Sequence, residues 1–245
     1  MDDEEPWIED GESSESGEEG DQETMGFNLF DDPDPHHDVE LSFGETTLKV
    51  SGKLRVKFPH LLESTGLALW DGSRNLCNYL CAHKEYVQGK NVLELGAGLG
   101  VCGILAHKLG AKKVVLTDGD TATLATMRLN VATNSEGEDE EDFMVCKQLR
   151  WGRNIEGFRE KVASEFDTIM GGDIIYAQEG LQPLFQTVSK LLSEERHAVF
   201  LQSYINRNGV TMEEAFQVAK SHGLQWLEPE HDGTDGVYVF YRKTP

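Results

Sequence analysis

Residues 1 to 40 of this 245-residue chain contain no lysine and no arginine. They do hold 17 of its 44 acids, so the other 205 residues carry 27 acids against 22 bases. Most of the formal charge of −22 therefore belongs to the leading segment and not to the body. An acidic start lacks the basic-then-apolar pattern of a secretory signal, and no apolar run reaches the roughly 20 residues of a membrane span. No membrane partner is expected, and the location expected is cytoplasmic with a nuclear share. The body has no basic stripe to meet phosphates, so no nucleic-acid partner is expected either. Cysteine is scarce: Cys77, Cys81, Cys102 and Cys146 form no CxxC pair and no histidine completes a ligand set, which argues against a metal site and for reduced, buried thiols. His36 and His37 lie in a Pro/Asp-rich linker and read as solvated.

The acidic segment has too little apolar material to offset its ordering entropy, so residues 1–38 are expected to form a disordered tail. Trp7, Ile8 and the GFNLF run at Gly26 to Phe30 stand among acids, a pattern suited to docking on a basic partner. Ser13, Ser14 and Ser16 sit beside acids as acid-directed kinases prefer.

From Val39 the pattern becomes short alternating runs, VELSF, TTLKV and LRVKF, which read as a β-hairpin over 39–59. A helical stretch follows Pro59, with Leu69, Leu76 and Leu80 on one face. Beyond it, strand and helix patterns alternate. Strands are expected at 91–95, 113–118, 143–149, 166–173 and 197–204, with helices at 101–109, 121–133 and around 181–191. Thr211 and Glu214 spell a capping box for a last helix ending near Gly223. LQWLE and VYVFYR then finish the chain with no helix between them. Such alternation implies βαβ units in a doubly wound, Rossmann-like α/β sheet of seven strands over 60–245, with an antiparallel finish.

The most specific motif is VLELGAGLGVCG at Val92 to Gly103. A strand runs into a turn where Gly96, Gly98 and Gly100 let the backbone approach a ligand, and a helix N-terminus with free N–H groups follows. Asp118, 22 residues past Gly96, ends the next strand where it can accept hydrogen bonds from a ribose. Gly98, Gly100 and Gly103 also satisfy the dinucleotide fingerprint, so glycines alone leave NAD open. Glu94, two residues before the first glycine, suits a cofactor with a cationic amino-acid end better than one carrying a pyrophosphate.

The glycine loop, the acid of LTDGD, the Trp-Gly of LRWG, the DIIY and the antiparallel finish resemble the seven-β-strand S-adenosylmethionine-dependent methyltransferases. Within that class, GLALWDGSRNLCNYL with GGDIIY looks like the family 16 group of protein lysine methyltransferases. The resemblance covers about residues 60 to 243, and it departs from the group's pattern at Asp71, where proline is common. It implies S-adenosyl-L-methionine as cofactor and a lysine-bearing protein as substrate; the alternatives are another nucleophile (arginine, histidine, an N-terminal amine or a small molecule) or a catalytically inactive binding module on the same fold, and the chain is expected to act as a monomer. Carried over by position, Glu94, Gly96, Ala97 and Gly98 would line the methionine end. Asp118 would hold the ribose, Trp151 would cover the adenine, and Trp70 would close the pocket. Asn130 and Asn134 read as helix-end caps.

GGDIIY, Gly171 to Tyr176, carries little information in its letters. With 17 Asp and 17 Tyr plus Phe in 245 residues, chance alone supplies about one D-x-x-[YF] match. Its position is more telling, at the carboxyl end of a strand expected beside the glycine loop. There Asp173 would bind the incoming ammonium and then the neutral amine as a positioning group. Tyr176, with Tyr204 on the next strand, would wall a lysine channel. Gly171 and Gly172 would leave room for substrate backbone or cofactor.

Overall fold

The computed structural model describes residues 37–53, 64–135, 143–162, 164–207, 209–227, 229 and 236–243. The acidic tail, the LRVKF run and the acidic loop after Ser135 lie outside the described residues. Two strands, β1 His37–Phe43 and β2 Thr46–Gly52, form the antiparallel hairpin. Helix α1 follows at Asp71–Ala82. The body then alternates: β3 Asn91–Leu95, α2 Val101–Lys108, β4 Lys113–Asp118, α3 Thr121–Asn134, β5 Met144–Gln148. It continues with α4 Ile155–Val162, β6 Thr168–Gly172, α5 Gln178–Leu191, β7 Val199–Tyr204 and α6 Met212–Ser221. β8 Leu224–Leu227 and β9 Gly236–Arg242 finish it.

The seven strands lie in the order β5-β4-β3-β6-β7-β9-β8. β5, β4, β3, β6 and β7 are parallel, and β9 pairs antiparallel with both β7 and β8. Successive side chains on these strands enter opposite cores, because strand side chains alternate. Val92, Val114, Met170, Leu201 and Val239 face a core shared with the hairpin, α1, α2 and α3. Leu93, Val115, Ile169, Phe200 and Phe240 face the other core, with α4, α5 and α6. That second core is aromatic where the sheet ends: Phe216 stacks on Trp226 at 4.2 Å, and Phe185 meets Phe240 edge-on at 5.4 Å. Burial on both faces is why the strands read as continuous apolar runs. Among the described residues no helix is long and apolar enough to cross a membrane.

Helix α4 is absent from the sequence reading. Ile155, Phe158 and Val162 do recur at helical spacing and are buried, but the element is only eight residues long with Gly157 inside it. Packing of these three residues on the second core decides its conformation, since propensity is weak over so few residues.

Asn130 and Asn134 are not end caps. They stand one turn apart on α3, and each grips one residue of β2. Asn134 accepts from the Lys49 N–H at 3.0 Å and donates to the Lys49 carbonyl at 2.7 Å. Asn130 does the same with Ser51, at 2.8 and 3.1 Å, and also donates to the Leu99 carbonyl of the glycine loop at 3.0 Å. Two amide side chains thus replace a neighbouring strand along the open edge of β2, and Asn130 ties the hairpin to the glycine loop. Asn130→Ala should cost about 2–3 kcal/mol in urea unfolding and Asn134→Ala slightly less, because buried backbone groups lose their partners. A loss below roughly 0.5 kcal/mol would mean that apolar packing alone holds the hairpin.

Candidate active site

β3 ends in a turn whose glycines Gly96, Gly98 and Gly100 have φ of 61°, 52° and 81°. Side chains rarely adopt this left-handed region, so the repeated glycine is a backbone requirement. The turn is held from β4: Ala97 N–H donates to the Thr117 carbonyl at 2.8 Å, and Thr117 Oγ1 donates to the Glu94 carbonyl at 2.7 Å. Asp118, last residue of β4, accepts from Gly98 N–H through Oδ2 at 3.1 Å and from Asp120 N–H through Oδ1 at 2.9 Å. Each carboxylate oxygen accepts up to two bonds, so Asp118 keeps acceptor capacity at the cavity edge.

Glu94 does not line the cavity. It is buried one layer below the loop, where its Oε2 accepts from Gly103 N–H in the first turn of α2 at 2.7 Å. It caps a helix whose own N-cap, Gly100, has no side chain. A Cβ at residue 103 would come within 2.7 Å of that oxygen, which accounts for the third glycine of the fingerprint without a ligand. Burial pushes the Glu94 carboxyl up to about 8, opposed by the bonds from Gly103 and the Cys102 thiol. At neutral pH it is therefore mainly protonated. The sequence expectation of a carboxylate charge facing the cofactor is replaced by a neutral acid supporting the loop from below.

One thiol, that of Cys102, bonds to the acid cap. Cys102 Sγ lies 3.7 Å from Cys77 Sγ and 3.5 Å from the Ser73 carbonyl, and its contact with Cys77 and its burial both hold the thiol protonated. Cysteines in this state are packing groups.

β6 lies directly beside β3, with Leu93 opposite Ile169 and Glu94 opposite Met170. GGDIIY therefore leaves the sheet next to the glycine loop. Its glycines stand close to other parts of the chain, and Gly172 also lines the larger cavity. A Cβ at residue 172 would stand 2.8 Å from Ser73 Cα, and one at residue 171 would strike Ile174. The first turn of α1 thus packs onto the strand end. Asp173 has φ of 64°, one of two non-glycine residues with positive φ among those described. Aspartate tolerates this region better than most residues, and such strain gathers at functional positions.

The Asp173 carboxylate is not open to solvent. Its side chain is 2% exposed. Arg207, in the segment after β7, meets both oxygens as a fork, at 2.5 and 2.6 Å. Gly72 N–H in the first turn of α1 approaches Oδ2 at 3.4 Å. The guanidinium also sits 5.5 Å from the ring centroid of Trp70, whose Nε1–H donates to the Thr65 carbonyl at 2.9 Å. Arg207 escaped the sequence reading because one arginine in a short polar loop carries no spacing signal. Only the pairing of β6 with β7 brings it to Asp173.

Two cavities meet at this pair. The larger, about 540 Å³, is lined by Gly96, Ala97, Gly98, Asp118, Trp151 and Gly172. Trp151 is placed there because Gly152 N–H donates to Thr187 Oγ1 of α5 at 2.9 Å. The smaller, about 330 Å³, is walled by Ile175, Tyr204, Ile205, Arg207 and Val210. Thr65, Trp70, Asp173 and Tyr176 belong to both linings and form the partition between them. Tyr176 is 63% exposed at the mouth, whereas Tyr204 is buried with its hydroxyl donating to the Val210 carbonyl at 2.8 Å. Of the sequence-predicted site residues, Trp70, Gly96, Ala97, Gly98, Asp118, Trp151, Gly172, Asp173 and Tyr176 reach the larger cavity, Tyr204 lines only the smaller one, and Glu94, Gly100 and Gly171 line neither.

Comparison with known proteins matches residues 51–221 to a family described as lysine methyltransferase. Protein N-lysine methyltransferase METTL21A of Mus musculus is 36% identical over 169 residues, 67% of this chain and 72% of that protein. The Xenopus tropicalis protein of the same name is 39% identical over 52% of this chain and 55% of its own length. EEF1A lysine methyltransferase 3 of Xenopus tropicalis is 35% identical over 59% and 60%. The chain thus spans between about half and three quarters of these relatives. Among solved structures, SMU.776, a putative methyltransferase complexed with SAH, superposes with a TM-score of 0.60 at 14% identity. That match covers 86% of this chain and 56% of the other. A putative SAM-dependent methyltransferase from Streptococcus mutans gives 0.59 at 14% identity, over 83% and 54%. These two likenesses establish the fold. The family match runs from Ser51 in β2 to Ser221 at the end of α6, across both cavities and the partition between them: the chain belongs to the lysine methyltransferase family.

Proposed function

We propose that the chain transfers a methyl group from S-adenosyl-L-methionine to the side-chain amine of a lysine on another protein. The observation that carries this reading is the pair of adjoining cavities whose linings share Thr65, Trp70 and the Asp173 and Tyr176 of the D-x-x-Y motif; the larger is proposed to take the cofactor and the smaller the acceptor. Family membership and the names of the relatives support lysine as the acceptor.

The residues present fit the cofactor. A volume of about 540 Å³ lies within the range of small-molecule sites. One rim carries an aspartate with spare acceptor capacity, another a flat indole, and between them runs a stretch of side-chain-free backbone. Asp118 would hold the ribose hydroxyls, Trp151 would cover the adenine, and Gly96, Ala97, Gly98 and Gly172 would border the methionine end. Trp70 would close the cavity from the α1 side. When bound, S-adenosylmethionine supplies an electrophilic methyl group on a sulfonium.

The work left to the chain is alignment and exclusion of water, which can lower a barrier by several kcal/mol. Trp70 and Tyr176 stand between cofactor and acceptor and limit the acceptor to a narrow approach. Asp173 would be a positioning group on the acceptor side, held rigid by Arg207 and the α1 amide. The lysine must arrive as, or become, a neutral amine, because an ammonium has no lone pair. A cytoplasmic protein presenting such a lysine is the substrate class proposed, with the chain acting as a monomer and its acidic tail docking on a basic partner.

Incubation with labelled S-adenosylmethionine and a cell lysate, followed by mapping of the labelled residue, tests the reading. Label on lysine is expected; label on RNA, histidine or arginine alone would contradict it. Asp118→Ala should abolish cofactor binding in equilibrium dialysis. Asp173→Asn should keep cofactor binding while transfer falls at least tenfold. Loss of binding in the Asp173 variant would place that residue in the cofactor pocket instead.

Glu94 generates a separate expectation. Its carboxyl titrates at about 8 in the folded chain against an ordinary value of 4.5. Between these values the folded state binds more protons than the unfolded state, so this residue's contribution falls as pH rises through 8. Glu94→Gln keeps the oxygen that accepts from Gly103 and removes the titration. The stability of Glu94→Gln relative to the parent chain should therefore increase from pH 5 to pH 8, then level off. A pH-independent difference in urea unfolding would contradict the assignment.

A further inference from the structure

We infer that Arg207 is a positioning residue that selects the protonation state of the acceptor, by cancelling the charge of Asp173 at the partition between the two cavities. The inference rests on the methyl-transfer reading above and concerns the acceptor side of the same site.

The smaller cavity is apolar over most of its wall, with Ile175, Ile205 and Val210 contributing aliphatic surface and Trp70 a ring. Four titratable groups face it: Asp173, Tyr176, Tyr204 and Arg207. The Tyr204 hydroxyl is engaged by the Val210 carbonyl. Asp118, Asp120 and Arg150 line the larger cavity on the other side of the partition. Helix α1 presents the Gly72 amide to Asp173, with Asp71 outside on the exposed face. The formal charges within the smaller cavity are therefore one carboxylate and one guanidinium, locked in a two-point fork.

A lone carboxylate here would defeat the chemistry. An opposite charge at contact distance raises the pKa of a lysine ammonium, typically by one to three units, and so holds the proton that must leave. With Arg207 on both oxygens, the acceptor meets no net charge and an apolar wall. Desolvation then lowers its pKa from about 10.4. The ammonium releases its proton to water at the cavity mouth, and the neutral amine nitrogen donates its lone pair to the methyl carbon. With S-adenosylmethionine bound, the carbon–sulfur bond would break with its electron pair remaining on sulfur, and the positive charge would pass to the methylated ammonium, so that one proton is released per transfer. The stacking of Arg207 on Trp70 explains how the guanidinium stays in place while the acceptor passes.

The test compares the parent chain, Arg207→Lys and Arg207→Gln. Each full-length protein is incubated with labelled S-adenosylmethionine and a heat-treated cell lysate from pH 6 to 10, and cofactor binding is measured in parallel by calorimetry. Arg207→Gln should move the acid limb of the transfer profile to higher pH by about one unit or more, with cofactor affinity unchanged. Arg207→Lys, which keeps the charge, should hold the limb near its parent position. A uniform loss across the pH range with no shift would overturn the inference and make Arg207 a structural tie. Faster transfer at neutral pH in Arg207→Gln would also overturn it, by showing that the guanidinium competes with the acceptor for Asp173. Absence of transfer by the parent chain at every pH would remove the methyl-transfer reading and this inference with it, whereas a shift-free profile in an active parent removes the inference alone.

Discussion

Strand β3 pairs with β4 on one side and with β6 on the other, and this reversal of strand order among the parallel strands is the constraint on which the site depends. Chain segments leaving neighbouring parallel strands at such a point go to opposite faces of the sheet and leave a crevice at the carboxyl ends. Everything chemical in the molecule then follows from which residues end those strands. β3 leads into left-handed glycines, β4 ends in Asp118, and β6 ends in Gly172 with Asp173 next. The apolar strand bodies on both faces fix the register, since a slip of one residue would turn each buried side chain into the wrong core.

Electrostatics around the crevice are arranged in two tiers. Glu94, below the loop, is driven toward its neutral form by burial and serves as an internal cap for α2. Asp173, at the rim, is equally hidden from water but is paired with a guanidinium and the amide end of α1. A buried acid has these two outcomes, neutralisation or pairing, because an isolated charge in an apolar interior is too costly. The first supports the cofactor loop mechanically. The second leaves the partition between the two cavities without net formal charge, which suits the proposed reaction, whose nucleophile is a neutral amine.

Much of this architecture was legible in the sequence. The strands at 91–95 and 113–118, the capping box at Thr211 and Glu214 and the antiparallel finish follow from patterns local to a few residues. The glycine loop, Asp118, Trp151 and Trp70 could be assigned to one cavity because fold topology converts their sequence order into position. What escaped depends on contacts between distant segments. Arg207 reaches Asp173 across 34 residues, and Asn130 reaches Ser51 across 79, with no spacing rule to announce either. Glu94 was identified as important but assigned the wrong surroundings. An acid before a glycine turn looks the same in sequence whether it faces a ligand or a helix amide. Helix α4 was missed because three buried residues on eight positions become a helix only once a core exists to receive them.

The central claim is that the crevice beyond β3 and β4 is a site for S-adenosyl-L-methionine, with the acceptor side across Trp70, Asp173 and Tyr176. Calorimetric titration of the full chain with S-adenosylmethionine tests it most directly. Saturable binding of one equivalent is the result the account predicts. Absence of saturable heat, with the chain shown to be folded, would contradict it.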